Sequence, residues 1–216
     1  MSVAANALPE APERPVAPRV AGPDHPALVP APGGVPIGWW GLAWLVATEA
    51  TLFGGLLSAW FFTRAAADSW PEGGIAPPEL GRISVFTVVL LASSLPLVWG
   101  EAAIRRGRVR GLRVALALSF LLGAAFLANQ VVDYRDLTFG IRDNAYASLF
   151  YVTTGLHGMH VAVGLAVSLA VQAKVAAGRI DADHHLSVRV FSLYWHFVDV
   201  VWIAVFSSLY LSTHVR

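Results

Sequence analysis

The sequence predicts an all-α polytopic membrane protein, a bundle of five transmembrane helices with a cytoplasmic N-terminus and an external C-terminus. Composition is one ground: 56% of the 216 residues are hydrophobic, 13% are charged and the mean hydropathy is +0.60, which does not suit a water-soluble globule. Pattern is another, because the apolar residues gather into five long runs separated by stretches where charges, prolines and glycines collect. Finally, the few ionisable residues inside those runs fall at one depth, as they would if they met inside a bundle.

Residues 1–37 are predicted to be a disordered tail, since Pro9, Pro12, Pro15, Pro18, Pro23, Pro26, Pro30, Pro32 and Pro36 alternate with alanine and a few charges. Those prolines interrupt any secretory apolar run, so the tail is expected to be retained. The membrane domain is predicted to cover 38–213. Its first helix runs from Ile37 to Thr63, apolar except for Glu49, and Arg64 closes it. A polar loop to Arg82 carries Pro71, Gly73, Gly74, Pro77 and Pro78. The second helix, Ile83 to Gly100, contains Pro96, which removes a backbone donor and predicts a kink.

A short basic hairpin follows, with Arg105, Arg106, Arg108, Arg110 and Arg113. Val114 to Val132 forms the third helix, and a loop with Asp133, Arg135, Asp136, Arg142 and Asp143 leads to the fourth. That helix, Asn144 to Ala173, is longer than a bilayer needs and is expected to tilt or extend past the interface. A mixed loop from Lys174 to Arg189 then leads into the fifth helix, Val190 to Thr213. Cytoplasmic loops are enriched in arginine and lysine. Placing the arginine hairpin there puts the N-terminus inside and the C-terminus outside.

Several function classes are excluded by the same residues. A net charge of +1 and a single lysine, Lys174, give no basic surface suited to nucleic acid. The absence of cysteine removes disulfides, thiolate metal sites and cysteine nucleophiles. No Gly-rich phosphate loop, nucleophile elbow or zincin motif is present.

What stands out is a mid-membrane polar set: Glu49 in the first helix, His157 and His160 in the fourth, His196 and Asp199 in the fifth. Each would cost roughly 3 kcal/mol if left alone in lipid, so they are expected to face protein. Three readings stay open on the residues themselves. The set could be a polar network that fixes helix register. It could be a metal site, although a di-metal bundle site takes about four carboxylates and two histidines and only two carboxylates lie at this depth. It could also hold and release protons. A free-standing metal enzyme or proton channel is the reading from a different class.

Smaller signals have plainer readings. Trp39, Trp40 and Trp44 suit interfacial anchors. Gly54, Gly55 and Ser58, like Gly155, Gly158 and Gly164, suit close packing between helices. Arg64, His184 and His185 are candidates for lipid-headgroup or subunit contacts.

The stretches WGLAWLVATEATLFGGLLSAWFFTR (Trp40 to Arg64), YASLFYVTTGLHGMHVAVGL (Tyr146 to Leu165) and YWHFVDVVWIAVF (Tyr194 to Phe206), with NQVVDYRDL from Asn129, resemble subunit III of haem-copper terminal oxidases in its short five-helix bacterial form. The resemblance spans about 38–213 and is most like cytochrome c oxidases of aa3 type, with quinol oxidases and nitric oxide reductase-associated homologues as alternatives. It implies an accessory, non-catalytic role in a proton-pumping complex of the bacterial cytoplasmic membrane. Subunits I and II would be partners and would hold the haems and copper, while this chain would bind phospholipid and no metal.

Glu49 matches the family's membrane-embedded, carbodiimide-sensitive glutamate, which is linked to proton uptake and to stability of the complex. Two departures limit the carry-over. Arg189 stands where many relatives have a glutamate entering the last helix, so a role for that acid is not transferred. Asp133 stands where a glutamate is more usual.

Overall fold

The computed structural model of the chain describes residues 37–214, so the predicted tail lies outside the described residues except for Ile37, which opens the first helix. The described part is all-helical: α1 (Ile37–Ala66), α2 (Leu80–Ala92), α3 (Ser94–Arg105), α4 (Val109–Asp136), α5 (Ala145–Ala176) and α6 (Leu186–Val205). A π-helical stretch, Phe206–Leu211, and a final turn, α7 (Ser212–His214), continue α6. Among the described residues five helical spans are long and apolar enough to cross a membrane: Trp39–Ala66, Leu80–Arg105, Val109–Asp136, Ala145–Ala176 and Leu186–His214. The five predicted helices are therefore present, most of them longer than predicted because helix continues into the polar interface; the first begins at the predicted Ile37, and the fourth begins at Ala145 with the predicted Asn144 as its cap.

The second span breaks where Pro96 requires it. Pro96 has no N–H for the carbonyl of Ala92, and its ring crowds that carbonyl. The helix stops at Ala92 and restarts at Ser94, with Ser93 between. Ser93 Oγ donates to the Leu90 carbonyl at 2.5 Å, which occupies one backbone acceptor beside the break.

At 32 residues α5 is about 48 Å long, well beyond a hydrocarbon core of about 30 Å. Its start is fixed by Asn144, whose Oδ1 accepts the Ala147 amide at 2.8 Å. The same side chain donates to the Glu72 carbonyl at 2.8 Å and ties the first loop to this helix.

Packing is tight where small residues meet. A Cβ on Gly100 would lie 2.7 Å from that of Ala115, and one on Gly111 would lie 2.9 Å from that of Ala103. The α3–α4 hairpin is therefore close-packed along its length, as small residues permit in lipid. Trp195 of α6 lies between Gly123 of α4 and Gly164 of α5, where added Cβ atoms would come within 2.6 and 2.7 Å of its ring. Gly164 thus has the predicted packing role. Gly54 and Gly55 do not, because no described atom lies within 4 Å of where their Cβ would be and their side of α1 faces away from the other helices. Gly155 and Gly158 make only ordinary contacts, at 3.5 Å to Tyr134 Oη and 3.6 Å to Leu127.

Helix α1 stands apart, with Trp40, Trp44, Leu45, Leu52, Phe61 and Phe62 exposed. At its start the Arg189 guanidinium lies 5.2 Å from the centre of the Trp39 ring, and at its end Arg64 donates to Ser212 Oγ at 2.7 Å. These two contacts show that α1 and α6 run in the same direction, as first and fifth spans must.

Candidate functional site

The mid-membrane residues separate into two arrangements instead of one network. In the first, α1 and α5 bring Glu49 Oε2 to 2.9 Å from His160 Nε2, with side-chain exposures of 22% and 10%. The other ring nitrogen, Nδ1, is 2.8 Å from the Leu156 carbonyl. A carbonyl can only accept, so Nδ1 carries a proton. The Nε2–Oε2 contact then needs one proton of its own, held by the carboxyl or by the imidazole. The pair therefore holds one shared proton between α1 and α5.

Its setting is built by neighbouring side chains. Phe53, one turn beyond Glu49, packs edge-on to the His160 ring with centroids 5.3 Å apart. Tyr194 of α6 donates to the His160 carbonyl at 3.0 Å and fixes the backbone behind the ring.

His157, one turn earlier on α5, does not join the pair. It is fully buried, with its ring 4.6 Å from Trp202 and 6.0 Å from Phe126, and neither ring nitrogen has a partner among the described residues. His196 is half-buried and is not joined to Glu49 or to the α5 histidines, and Asp199 turns elsewhere, so these two residues of α6 do not share a network with Glu49.

Asp199 faces the broken second span. Its Oδ2 accepts from Ser94 Oγ, while Oδ1 is buried without a partner among the described residues. One turn earlier Trp195 Nε1 donates to Ser93 Oγ at 2.8 Å, and further on Trp202 Nε1 donates to Thr87 Oγ1 at 3.0 Å. Residues 195, 199 and 202 share one face of α6, so they form a polar seam along the second span. The physical reason for this placement is the Pro96 break, which sets two hydroxyls where α6 can reach them.

Sequence reasoning named Asp199 but missed Ser93, Ser94, Thr87, Trp195 and Trp202. The usable signal was a Ser-Ser pair just before a membrane proline, together with polar-tipped side chains spaced i, i+4 and i+7.

Of the interfacial candidates, Arg64 and His184 have side-chain partners. Asp181 Oδ1 accepts the amides of His184 at 2.7 Å and Asp183 at 2.9 Å, and the His184 ring lies 3.1 Å away. The His184 amide bond, the Asp183 amide and the His184 ring together hold the exposed Asp181 carboxyl below the usual carboxylate range. His185 precedes α6 with its Nδ1 buried and without a partner among the described residues. At the opposite end Arg82 pairs with Asp133 at 2.6 Å and Asp136 at 2.5 Å, and Asn129 donates to Asp133 at 2.8 Å. The shorter Asp133 thus has a defined structural partner.

Among the described residues no group of three or more His, Asp or Glu is gathered as a ligand set. His160 is committed to Glu49 and Leu156, and His157 is walled in by aromatic rings.

Residues 34–214 match the family model for cytochrome c oxidase subunit III. The chain is 38% identical over 174 residues to cytochrome c oxidase subunit 3 of Thermostichus vulcanus, covering 80% of this chain and 86% of that one. It is 37% identical over 172 residues to the subunit 3 of a Synechocystis species, covering 79% and 74%. It is also 37% identical over 175 residues to a probable cytochrome c oxidase subunit 3 of Mycobacterium bovis, covering 78% and 84%. With a family match across all of the described residues and relatives at this identity, the chain belongs to the cytochrome c oxidase subunit III family.

Proposed function

We propose that the chain is the accessory, non-catalytic subunit III of a proton-pumping cytochrome c oxidase in aerobic electron transport. It supports proton uptake, lipid binding and turnover stability of subunit I. Subunits I and II are its partners and carry the haems and copper. It lies in the bacterial cytoplasmic membrane with its N-terminus inside and its C-terminus outside, the orientation that places the arginine hairpin in the cytoplasm.

The observation that carries the reading is the 2.9 Å contact between Glu49 Oε2 and His160 Nε2, which joins α1 to α5. A carboxyl and an imidazole 2.9 Å apart can pass a proton between them with little movement. The pair sits on the side of α1, a helix largely uncovered by the rest of the chain, where lipid or a neighbouring subunit can face it. Relatives named as subunit 3 of cytochrome c oxidase support cytochrome c oxidase over the quinol oxidase alternative.

Purifying the tagged full-length chain from native membranes in mild detergent tests the reading. The expected result is co-purification with a haem-bearing polytopic partner. A chain that purifies alone with stoichiometric iron would contradict it.

A further inference from the structure

The α3–α4 hairpin bears a concave basic site that the proton reading does not use. Spans Leu80–Arg105 and Val109–Asp136 are joined by three residues, so the hairpin tip lies at a membrane boundary. A cavity of about 470 Å³ opens there, lined by Trp99, Arg106, Arg108 and Arg110 with the backbone of Gly107 and Gly111. All three arginines are exposed, and none meets a carboxylate among the described residues. The nearby acid, Glu101, faces Arg105 at 4.0 Å.

The walls are fixed. Gly107 takes a left-handed conformation at φ 70° to turn the chain, and the contacts of Gly100 with Ala115 and of Gly111 with Ala103 hold the helices together. No side chain caps α4 at Arg108, so the start of that helix adds partial positive charge beside the arginines.

Below the arginines the surface turns apolar. Trp99 is 52% exposed and Leu95, one turn away on the same face, is 71% exposed. An anionic head with an attached hydrocarbon tail satisfies both halves of this surface, whereas a free anion satisfies only the upper half. We propose that this hairpin is a binding site for an anionic phospholipid, with the phosphate among Arg106, Arg108 and Arg110 and an acyl chain along Trp99 and Leu95. It is separate from the headgroup candidates Arg64, His184 and His185, and it requires only that the five spans cross a bilayer.

The test uses the full-length chain as it purifies from native membranes, with whatever subunits accompany it. After detergent exchange, native mass spectrometry counts phosphatidylglycerol or phosphatidylcholine taken up from mixed micelles. The wild type is expected to take up phosphatidylglycerol in preference, and the triple variant R106Q/R108Q/R110Q to take it up about tenfold more weakly. The charge-keeping variant R106K/R108K/R110K is expected to retain most of the uptake. Should the glutamine variant not fold, salt decides: phosphatidylglycerol uptake by the wild type falls with added sodium chloride while phosphatidylcholine uptake does not.

Equal uptake by wild type and the glutamine variant, or uptake insensitive to salt, overturns the site. So does full displacement of phosphatidylglycerol by millimolar inorganic phosphate, which would mark a plain anion site. Loss of an accompanying subunit with lipid uptake unchanged would assign the arginines to a protein contact and also overturn it.

Discussion

Helices α1 and α6 are both apolar membrane spans that run in the same direction, yet they relate to the protein in opposite ways. In the most apolar stretch of each, 11% of α1 is buried against 50% of the α6 span. Helix α6 is locked by Trp195 between two glycines and by a seam of three side chains onto the second span. Helix α1 is held at separated points: Trp39 under Arg189, Glu49 on His160, Trp60 against Trp70 and Tyr146, and Arg64 on Ser212. In a membrane, apolar side chains show that a helix spans but not what it touches, because lipid serves them as well as protein. Neighbours are chosen by small and polar residues. The α6 side therefore reads as scaffold and the α1 side as working surface.

Removing Trp195 should break the comparison most strongly if it is wrong. Trp195→Ala is expected to destabilise the purified protein near the low end of the about 3–5 kcal/mol seen for such truncations, since lipid and not water receives the exposed surface. Trp44→Ala on α1 is expected to change stability by less than about 0.5 kcal/mol, because Trp44 is 70% exposed. Thermal unfolding in detergent measures both, and equal losses would remove the distinction.

Glycine substitutions sharpen the same contrast. Gly123→Ala and Gly164→Ala push a methyl into the Trp195 ring and are expected to cost about 1–3 kcal/mol each. Gly54→Ala and Gly55→Ala meet open space and are expected to be neutral or mildly stabilising, as helix propensity favours alanine.

A smaller effect is expected at the seam. Asp199→Asn keeps an acceptor for Ser94 and should be nearly silent, whereas Asp199→Ala leaves that hydroxyl without it and should cost about 1 kcal/mol. A larger loss for the asparagine than for the alanine would assign the carboxylate charge a role that the seam does not require.

The smallest effect lies outside the spans. The depressed Asp181 carboxyl contributes stability above its ordinary range, and that contribution is lost as pH falls through its lowered value in the folded chain. Amide exchange at Asp183 and His184 is expected to accelerate on acidification beyond its intrinsic pH dependence, and this excess is expected to vanish in Asp181→Ala.

The spans were legible because long charge-free runs between loops have one meaning, and the Pro96 break because a missing N–H has a fixed consequence. The pairing of Glu49 with one of the two α5 histidines was within reach only as a shared depth. Depth does not give azimuth: His157 and His160 lie a turn apart and only about 60° from each other around the helix, yet that is enough to turn one ring to Trp202 and the other to Glu49. Asp199 was misdirected for the same reason, since nothing before the proline said which helix its Ser-Ser pair would face. The Arg189–Trp39 contact was unreadable, as it joins residues at opposite ends of the chain.

The most direct test compares the Glu49→Ala complex with wild type in two readouts, unfolding temperature at rest and activity over many turnovers, with haem content as control. The expected result is unchanged haem, a resting unfolding temperature close to wild type, altered carbodiimide labelling and faster loss of activity during turnover. A complex that loses haem or unfolds early at rest, while its activity during turnover decays as in wild type, would contradict a working role for the α1 side.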